Sequence, residues 1–418
     1  MLPVKQAEAI VLDLVQPLDA QRDRESLDLF SASGRILAAP MAGDLDFPHW
    51  DNSAMDGYAL RYEDVAHSSA SPTVELKVVE EIPAGKPPQV EIQGGQAARI
   101  FTGGMMPRGA DTVIMQENTR RRGDRVEILA PPSEPGEFVR RKGAFYQAQT
   151  ELLPAGSLLG PPDIAVLATA QCTQISAYRR PRVAILSTGN ELVPPGQPLQ
   201  PGQLVDSNQY ALAAAVEALG GVPIAMGIIP DRPDALENAI ASAMTKADLV
   251  LSTGGVSVGD YDYVEEILEK LGGKIHIKQV AIKPGKPLTV ARFHRDPLSV
   301  VYFGLPGNPV SALVTFWRFV QPAMKKLAGK ASGWEPIFLE ARSRQDLRAG
   351  GQRETYLWGQ LQQGSSGYEF TLAGGSHSSG NLINLSQTTG LAVVPVGQQF
   401  IATGETLQVL PIGSPIVA

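Results

Sequence analysis

The stretch LSTGGVSVGDYDYVEE, from Leu251 to Glu266, joins two kinds of residue that ordinarily exclude each other. An apolar run ends in Thr253, Gly254 and Gly255, and the turn closes on Gly259, Asp260 and Asp262. A glycine turn between a strand and a helix presents backbone N–H groups to anions, and the helix N-terminus adds its dipole. Carboxylates repel an anion placed there. Gly254 and Gly259 reproduce half the spacing of a P-loop, but Asp260 and Tyr261 stand where a nucleoside-triphosphate loop carries Lys and Ser/Thr. Two readings remain. Either the acids hold a divalent cation that in turn holds phosphate, or they cap the next helix. For the second, Asp262-x-x-Glu265 reads as a capping box, and Val264, Ile267, Leu268 and Leu271 form an apolar stripe.

Two other apolar runs end in loops of similar character, Ser187-Thr188-Gly189-Asn190-Glu191 and Gly304-Leu305-Pro306-Gly307-Asn308-Pro309. In an open α/β sheet the loops after the strands share the carboxyl edge, where ligands bind, so the three are expected to face one crevice. Asn308 reads as an N-cap and Pro309 as the first residue of a helix carrying Val310, Leu313, Trp317, Val320 and Met324. Such a helix start also attracts an anion. Lys283-Pro284-Gly285-Lys286-Pro287 places two lysines on a segment stiffened by proline, which limits the side-chain and backbone freedom lost on meeting an anion; a surface turn explains it equally when taken alone. Taken together, the lysines and loop donors beside Glu191, Asp260 and Asp262 favour Mg2+-bound phosphate over simple caps, because Mg2+ takes one or two carboxylates, waters and phosphate oxygens.

The elements that must hold these loops follow from periodicity. Val183 to Leu186, Val222 to Ile228, Leu249 to Leu251 and Val300 to Phe303 read as strands. Helices are expected at Ser207 to Leu219, Pro233 to Met244 and after Asn308. The alternation predicts an open parallel sheet with helices on both faces, over residues 181–328. The chain opens helical, with Val4, Ala7, Val11, Leu14 and Val15 at helical spacing, and a helix returns around Pro162 to Ala170; residues 1–44 and 140–180 are expected to form one discontinuous domain. Residues 45–139 hold short β-prone runs such as Val74 to Val79 and Thr112 to Met115, a β-rich, elongated module, and 329–418 predict a C-terminal β-barrel. The fold class is thus multidomain α/β.

Composition narrows the function. Lys plus Arg number 36 against 43 Asp plus Glu, a net charge of −7, which argues against nonspecific nucleic-acid binding. One cysteine, Cys172, excludes an intrachain disulfide or a thiolate cluster and fits a reducing compartment. No run of some 18 apolar residues occurs, so a soluble, cytoplasmic protein is expected. The five histidines show no metal-ligand spacing and read as surface or packing residues.

The loops in this order, with Asp46-Phe-Pro-His-Trp-Asp-Asn-Ser-Ala-Met-Asp-Gly-Tyr-Ala59 and Phe101-Thr-Gly-Gly-Met-Met-Pro-Arg-Gly-Ala-Asp111, resemble the molybdopterin molybdenumtransferases of the bacterial MoeA family, to which the E domain of gephyrin is also similar. The resemblance covers nearly the whole chain. It implies four domains, the third like the molybdopterin-adenylylating proteins (MogA-like), in an extended homodimer. The implied reaction takes adenylylated molybdopterin and molybdate, inserts the metal at the dithiolene sulfurs and releases AMP and molybdenum cofactor. By the same resemblance Glu191, Asp231, Asp260 and Asp262 match the acidic positions of the cleft. Glu191, Asp260 and Asp262 are the expected ligands of Mg2+, and Gly254, Gly255, Ser257, Pro306 and Asn308 belong to the substrate-binding set. Lys283, Lys286, Ser311, Arg353 and Ser379 are candidates to hold molybdate through charge-assisted donors. Asp56 and Thr102 match motifs that reach the cleft across the dimer, which would be a site shared between subunits. Partners from the same biosynthetic route are implied too; nucleic acid and membrane are not. Turn and cap roles account for Asp56, Thr102 and Asp231 as well, with Asp231 before Pro233 reading as an N-cap.

The chain departs from the family at three positions. Phe145 follows Gly143-Ala144 where an acid is usual, Asn190 replaces an Asp, and Arg232 follows Asp231 where a second acid is common. Each change removes negative charge near the expected cation, which leaves open a specialised paralogue with altered metal preference. Among rivals, a nicotinamide-dependent oxidoreductase lacks its G-x-G-x-x-G at Gly189. A non-enzymatic, gephyrin-like scaffold has no need of the retained acids and lysines.

Overall fold

The computed structural model describes residues 1–66, 74–254, 263–295 and 298–413. Helix α1 (Val4–Leu14) buries Val4, Ala7, Val11 and Leu14 on one face, as the spacing requires. That face enters the core of the α/β layer, far along the sequence. Strand β1 (Arg24–Leu27) then pairs antiparallel with β8 (Ile175–Tyr178), and isolated bridges such as Leu37 with Ala177 and Phe47 with Tyr146 extend the contact between the two segments. Helix α2 (Pro161–Thr169) adds Leu167 to their small core of Ala32, Leu37 and Ile175.

Between these segments lies a six-stranded sheet of β2 (Gly57–Leu60), β3 (Glu75–Ile82), β4 (Gln96–Ile100), β5 (Thr112–Met115), β6 (Thr119–Arg122) and β7 (Arg125–Ile128), in the order β5-β2-β4-β3-β7-β6. Side chains alternate across it. Tyr58, Leu60 and Ile114 enter one apolar cluster, whereas Ala59, Ala98 and Val113 enter another on the opposite face.

The α/β part runs β9 (Arg182–Thr188), α3 (Asn208–Ala218), β10 (Val222–Ile229), α4 (Pro233–Lys246), β11 (Leu249–Thr253), α5 (Tyr263–Lys270), β12 (Lys274–Gln279), β13 (Ile282–Lys283), β14 (Pro287–Arg295) and β15 (Leu298–Leu305). Its sheet has the order β10-β9-β11-β15-β14-β12. The first four strands are mutually parallel, as the alternation predicts. The other edge corrects the expectation: β14 runs antiparallel to β15, and β12 to β14. Only residues 296 and 297 separate β14 from β15, and a parallel return needs a crossover of a dozen residues or more. Val183, Ile185, Leu249 and Leu251 face α1, α3 and the C-terminal helices, while Ala184, Leu186 and Val250 face α4 and α5. Helix α6 (Pro309–Thr315) passes through a π turn (Phe316–Val320) into α7 (Gln321–Leu327).

The C-terminal part closes as a barrel of β16 (Leu339–Ser343), β17 (Glu354–Gly364), β18 (Gly367–Leu372), β19 (Gly390–Val394) and β20 (Thr406–Pro411). The order is β13-β17-β18-β16-β20-β19, with β17 also pairing β19. Strand β13 thus belongs to the barrel sheet although its neighbours in sequence belong to the α/β sheet, and this joins the two parts. No helix among the described residues is long and apolar enough to cross a membrane.

A second junction is ionic. Arg179 donates to both oxygens of buried Asp248 at 2.7 and 2.8 Å and to Asp23 at 3.0 Å, linking β1 and β8 to the edge of the α/β sheet. Burial alone raises the Asp23 carboxyl, but hydrogen bonds from Arg22 and the Asp19 N–H, with the Arg179 charge, hold it below its ordinary 3.8. Its contribution is therefore complete above that value and is lost as pH falls through the lower folded value. Arg179→Met removes the bidentate partner of Asp248 and one of the two arginines on Asp23, leaving Arg182 and Arg22 beside them, and is expected to cost about 1–3 kcal/mol in urea unfolding. Acid unfolding of the variant is expected to begin at higher pH than in the parent; coincident acid transitions would show that the junction is not a determinant of acid stability.

Candidate active site

Gly254, the first residue after β11, has φ +84°, and a Cβ there would lie 2.3 Å from the Thr188 carbonyl oxygen. Glycine is what allows this loop to meet the one after β9 backbone to backbone. Thr188 Oγ1 donates to Thr253 O at 3.3 Å, and Thr253 Oγ1 to Ser187 Oγ at 3.3 Å, so the two strand ends are cross-linked. The loop after β15 is tied in by Asn208 Nδ2, which donates to Gly307 O at 2.8 Å from the start of α3. The three loops therefore do share one crevice, a cleft of about 1010 Å3 whose wall includes Thr188, Glu191, Asp206, Asp231, Gly254 and Asn308.

The acids of this cleft are placed by local hydrogen bonds. Asn190 N donates to Asp231 Oδ2 and Asp231 N to Asn190 Oδ1, both at 3.2 Å. Asp231 is thus no N-cap: Arg232 holds that position in α4, and the Asp231 carboxylate turns to the neighbouring loop. An amide at position 190 makes this exchange without a second negative charge. Glu191 folds back over Gly189, where a Cβ would lie 2.8 Å from either carboxylate oxygen. Among the described residues, no group of three His, Cys, Asp or Glu is assembled for a metal.

A second cavity, of about 340 Å3, opens where the barrel meets the α/β part and shares Pro287, Asn308 and Ser311 with the cleft. Its wall carries Lys283, Lys286 and Arg353 and no acid among the described residues. Pairing of β13 with β17 sets Lys283 opposite Thr355, and Arg353 Nη1 donates to Ile282 O at 3.2 Å. Asn308 corrects a further expectation. It occupies the N-cap position of α6, but its side chain makes no cap. Nδ2 instead donates to Ser379 Oγ at 3.1 Å, and Val310 N donates to Ser379 O at 3.2 Å. A barrel loop therefore satisfies one of the helix donors otherwise left orphaned at an N-terminus.

Ten expected residues lie in or beside these cavities. The cleft takes Glu191, Asp231, Gly254 and Pro306; the smaller cavity takes Lys283, Lys286, Arg353 and Ser379; Asn308 and Ser311 line both. Asp56 and Thr102 line neither. They sit together in the β-rich part, Thr102 donating to Asp56 Oδ1 through N at 2.7 Å and Oγ1 at 2.8 Å. The Thr102 N–H, more than any other group, holds the Asp56 carboxyl below its ordinary value. Gly255, Ser257, Asp260 and Asp262, with the capping box, lie outside the described residues. Sequence reasoning missed Asp206, a buried carboxylate on the cleft wall, because Asp-Ser-Asn before a helix looks like ordinary capping. It also passed over His377, whose ring stacks on Trp358 at 4.4 Å in the smaller cavity while Nε2 lies 2.8 Å from Ala373 O.

Comparison with known proteins places this geometry in a family. Residues 2–170 match the family described as MoeA N-terminal region (domain I and II), 184–326 the one described as "Probable molybdopterin binding domain", and 340–412 the MoeA C-terminal region (domain IV). The chain is 59% identical over 410 residues to a molybdopterin molybdenumtransferase of Nostoc sp., covering 98% of this chain and 94% of that one. It is 37% identical over 348 residues to the Haemophilus influenzae protein of the same name, covering 83% of each. The crystal structure of a molybdopterin biosynthesis MoeA protein from Pyrococcus horikoshii superposes with a TM-score of 0.79 at 31% identity, covering 98% of this chain and 99% of that one. The chain belongs to the MoeA family of molybdopterin molybdenumtransferases.

Gly254→Ala introduces both a left-handed alanine and a collision with Thr188 O, whereas Gly220, at φ +79°, has open space around its Cβ position. Gly220→Ala is expected to cost only the backbone part, about 1–2 kcal/mol. Gly254→Ala is expected to cost more in denaturant unfolding. Equal costs would show that the two loops separate without penalty.

Proposed function

We propose that the protein inserts molybdenum from molybdate into adenylylated molybdopterin and releases AMP, the activity matching the name its relatives carry. One observation carries the reading: a cavity with three cationic side chains, and no acid among the described residues of its wall, opens through Asn308 and Ser311 onto a larger cleft with carboxylates on its wall. A small tetrahedral dianion suits Lys283, Lys286 and Arg353, which supply charge-assisted donors with no carboxylate among the described wall residues to compete. The larger cleft suits the adenylylated pterin, and the shared wall sets the dithiolene beside the oxyanion.

The cleft carboxylates fit Mg2+ by their donor chemistry, since they are hard oxygen ligands and, among the described residues, neither Glu191 nor Asp231 makes an ion pair. Glu191 and Asp231 would hold it, with Asp260 and Asp262 as further expected ligands. When bound, it would offset phosphoanhydride charge and polarise the phosphoryl oxygen. The loop N–H groups and Asn208 hold the cleft edge, the lysines and Arg353 orient the oxyanion, and Ser311 and Ser379 offer hydroxyls at its rim. We further propose that the enzyme acts in the cytoplasm as a homodimer. Asp56 and Thr102 of one subunit would then complete the cleft of the other, since their turn is preorganised yet faces neither cavity of its own chain.

The test is incubation of purified protein with adenylylated molybdopterin, Mg2+ and molybdate. AMP release that depends on molybdate is expected, and its absence would sink the proposal. Lys283→Ala is expected to raise the molybdate KM about tenfold or more, the scale of one charged hydrogen bond. Mixing Asp56→Asn and Lys283→Ala subunits, each impaired alone, is expected to restore turnover. No recovery from verified mixed dimers would place Asp56 outside the site.

A further inference from the structure

Arg318, on the π turn between α6 and α7, is 2% exposed and touches neither cavity, yet its contacts lead to both strands that carry the cations of the smaller one. Its guanidinium forms an ion pair through Nη2 with Glu8 of α1. Through Nε it donates to Tyr356 Oη at 2.8 Å, and Tyr356 Oη in turn donates to Glu354 Oε1 at 2.6 Å. Burial drives the Tyr356 phenol well above its ordinary value, so the hydroxyl keeps its proton and remains a donor. The rings of Phe319 and Phe338 lie 5.4 and 5.6 Å from the guanidinium carbon.

Tyr356 lines the cavity, and its strand begins with the residues that form the cavity wall. Glu354 N donates to Ala281 O at 3.0 Å, Ile282 pairs with Glu354 and Lys283 with Thr355, and Thr355 Oγ1 donates to Arg353 O at 3.0 Å. Lys283 and Arg353 are therefore carried by one hydrogen-bonded pair of short strand ends, and Arg318 grips that unit from beneath.

A buried ion pair is weak evidence for stability, since apolar side chains of similar volume commonly replace it at no cost. Arg318 also leaves Nη1 buried without a hydrogen-bond partner. What the guanidinium provides and an apolar group does not is direction: a donor in fixed geometry for the Tyr356 oxygen. A π turn interrupting a helix recurs at functional positions.

We propose that Arg318, oriented by Glu8 and acting through Tyr356, is a positioning residue for the oxyanion cavity, fixing the separation of Lys283 and Arg353. The proposal rests on the reading of that cavity as the molybdate site. It makes the N-terminal helix part of oxyanion recognition, although Glu8 and the cavity lie on different elements.

The test combines the double variant Glu8→Leu/Arg318→Met, which removes both charges together, with Tyr356→Phe, which removes only the hydroxyl. Molybdate affinity is read by calorimetry with molybdate alone, and by the KM values for molybdate and for adenylylated pterin. The double variant is expected to weaken molybdate binding about tenfold, the effect of misaligning one charge-assisted hydrogen bond, with a melting temperature near that of the parent. The pterin KM is expected to stay unchanged, and Tyr356→Phe to shift molybdate in the same direction by less. A folded double variant with parental molybdate affinity would overturn the proposal, as would a loss that falls equally on both substrates. If the double variant fails to fold, Tyr356→Phe decides: parental molybdate affinity in it overturns the positioning role. A parent protein that binds no molybdate would instead remove the reading of the cavity itself.

Discussion

The first turn of α6 has backbone donors that no residue of its own helix can satisfy, and the fold uses that deficit to fasten its parts together. Ser379 of the barrel accepts from Val310 N and meets Asn308 Nδ2, so the barrel is held against the carboxyl edge of the α/β sheet. The parallel pairing of β13 with β17, whose Lys283 and Thr355 line the smaller cavity, makes a second attachment. The same cavity is lined by the lysines, the arginine and the rim hydroxyls. Were the helix capped by its own Asn308 side chain, the barrel loop would lose its anchor.

This arrangement resolves the conflict between glycine loop and acids that the sequence presents. Acids and cations are assigned to different compartments joined by a short common wall. Among the described wall residues, the charged side chains of the cleft are all acids and those of the smaller cavity all cations, so two reactants of different charge distribution meet without these acids pairing with the lysines. The backbone approach at Gly254 holds two loops of the cleft together, and the buried arginine beneath the barrel strand sets how the cations are spaced.

Much of this was legible in the sequence, and the limits are physical. The three loops showed because each follows an apolar run and ends in residues that only turns need. The four parallel strands showed by their alternation with helices, but strand direction at the far edge did not, since a period of two is the same in either sense. Asn308 and Asp231 misled because a capping residue type before a helix says nothing about which neighbour its side chain finds. Asp206 was hidden differently: it does accept from Gln209 N in the first turn of α3, and that capping role masked its place on the cleft wall. The Glu8, Arg318 and Tyr356 contacts join an N-terminal helix, a helix interruption and a barrel strand, a juxtaposition that no local pattern encodes.

The proposed oxyanion site at the barrel junction, beside a nucleotide-pterin cleft, is what the rest of the chemistry depends on. The most direct measurement is anomalous X-ray scattering at the molybdenum edge from crystals of the protein soaked in molybdate. A single strong peak bounded by Lys283, Lys286, Arg353 and Ser379 is expected, absent in Lys283→Ala/Arg353→Ala crystals. A peak confined to other surfaces, or an unchanged peak in the double variant, would contradict it.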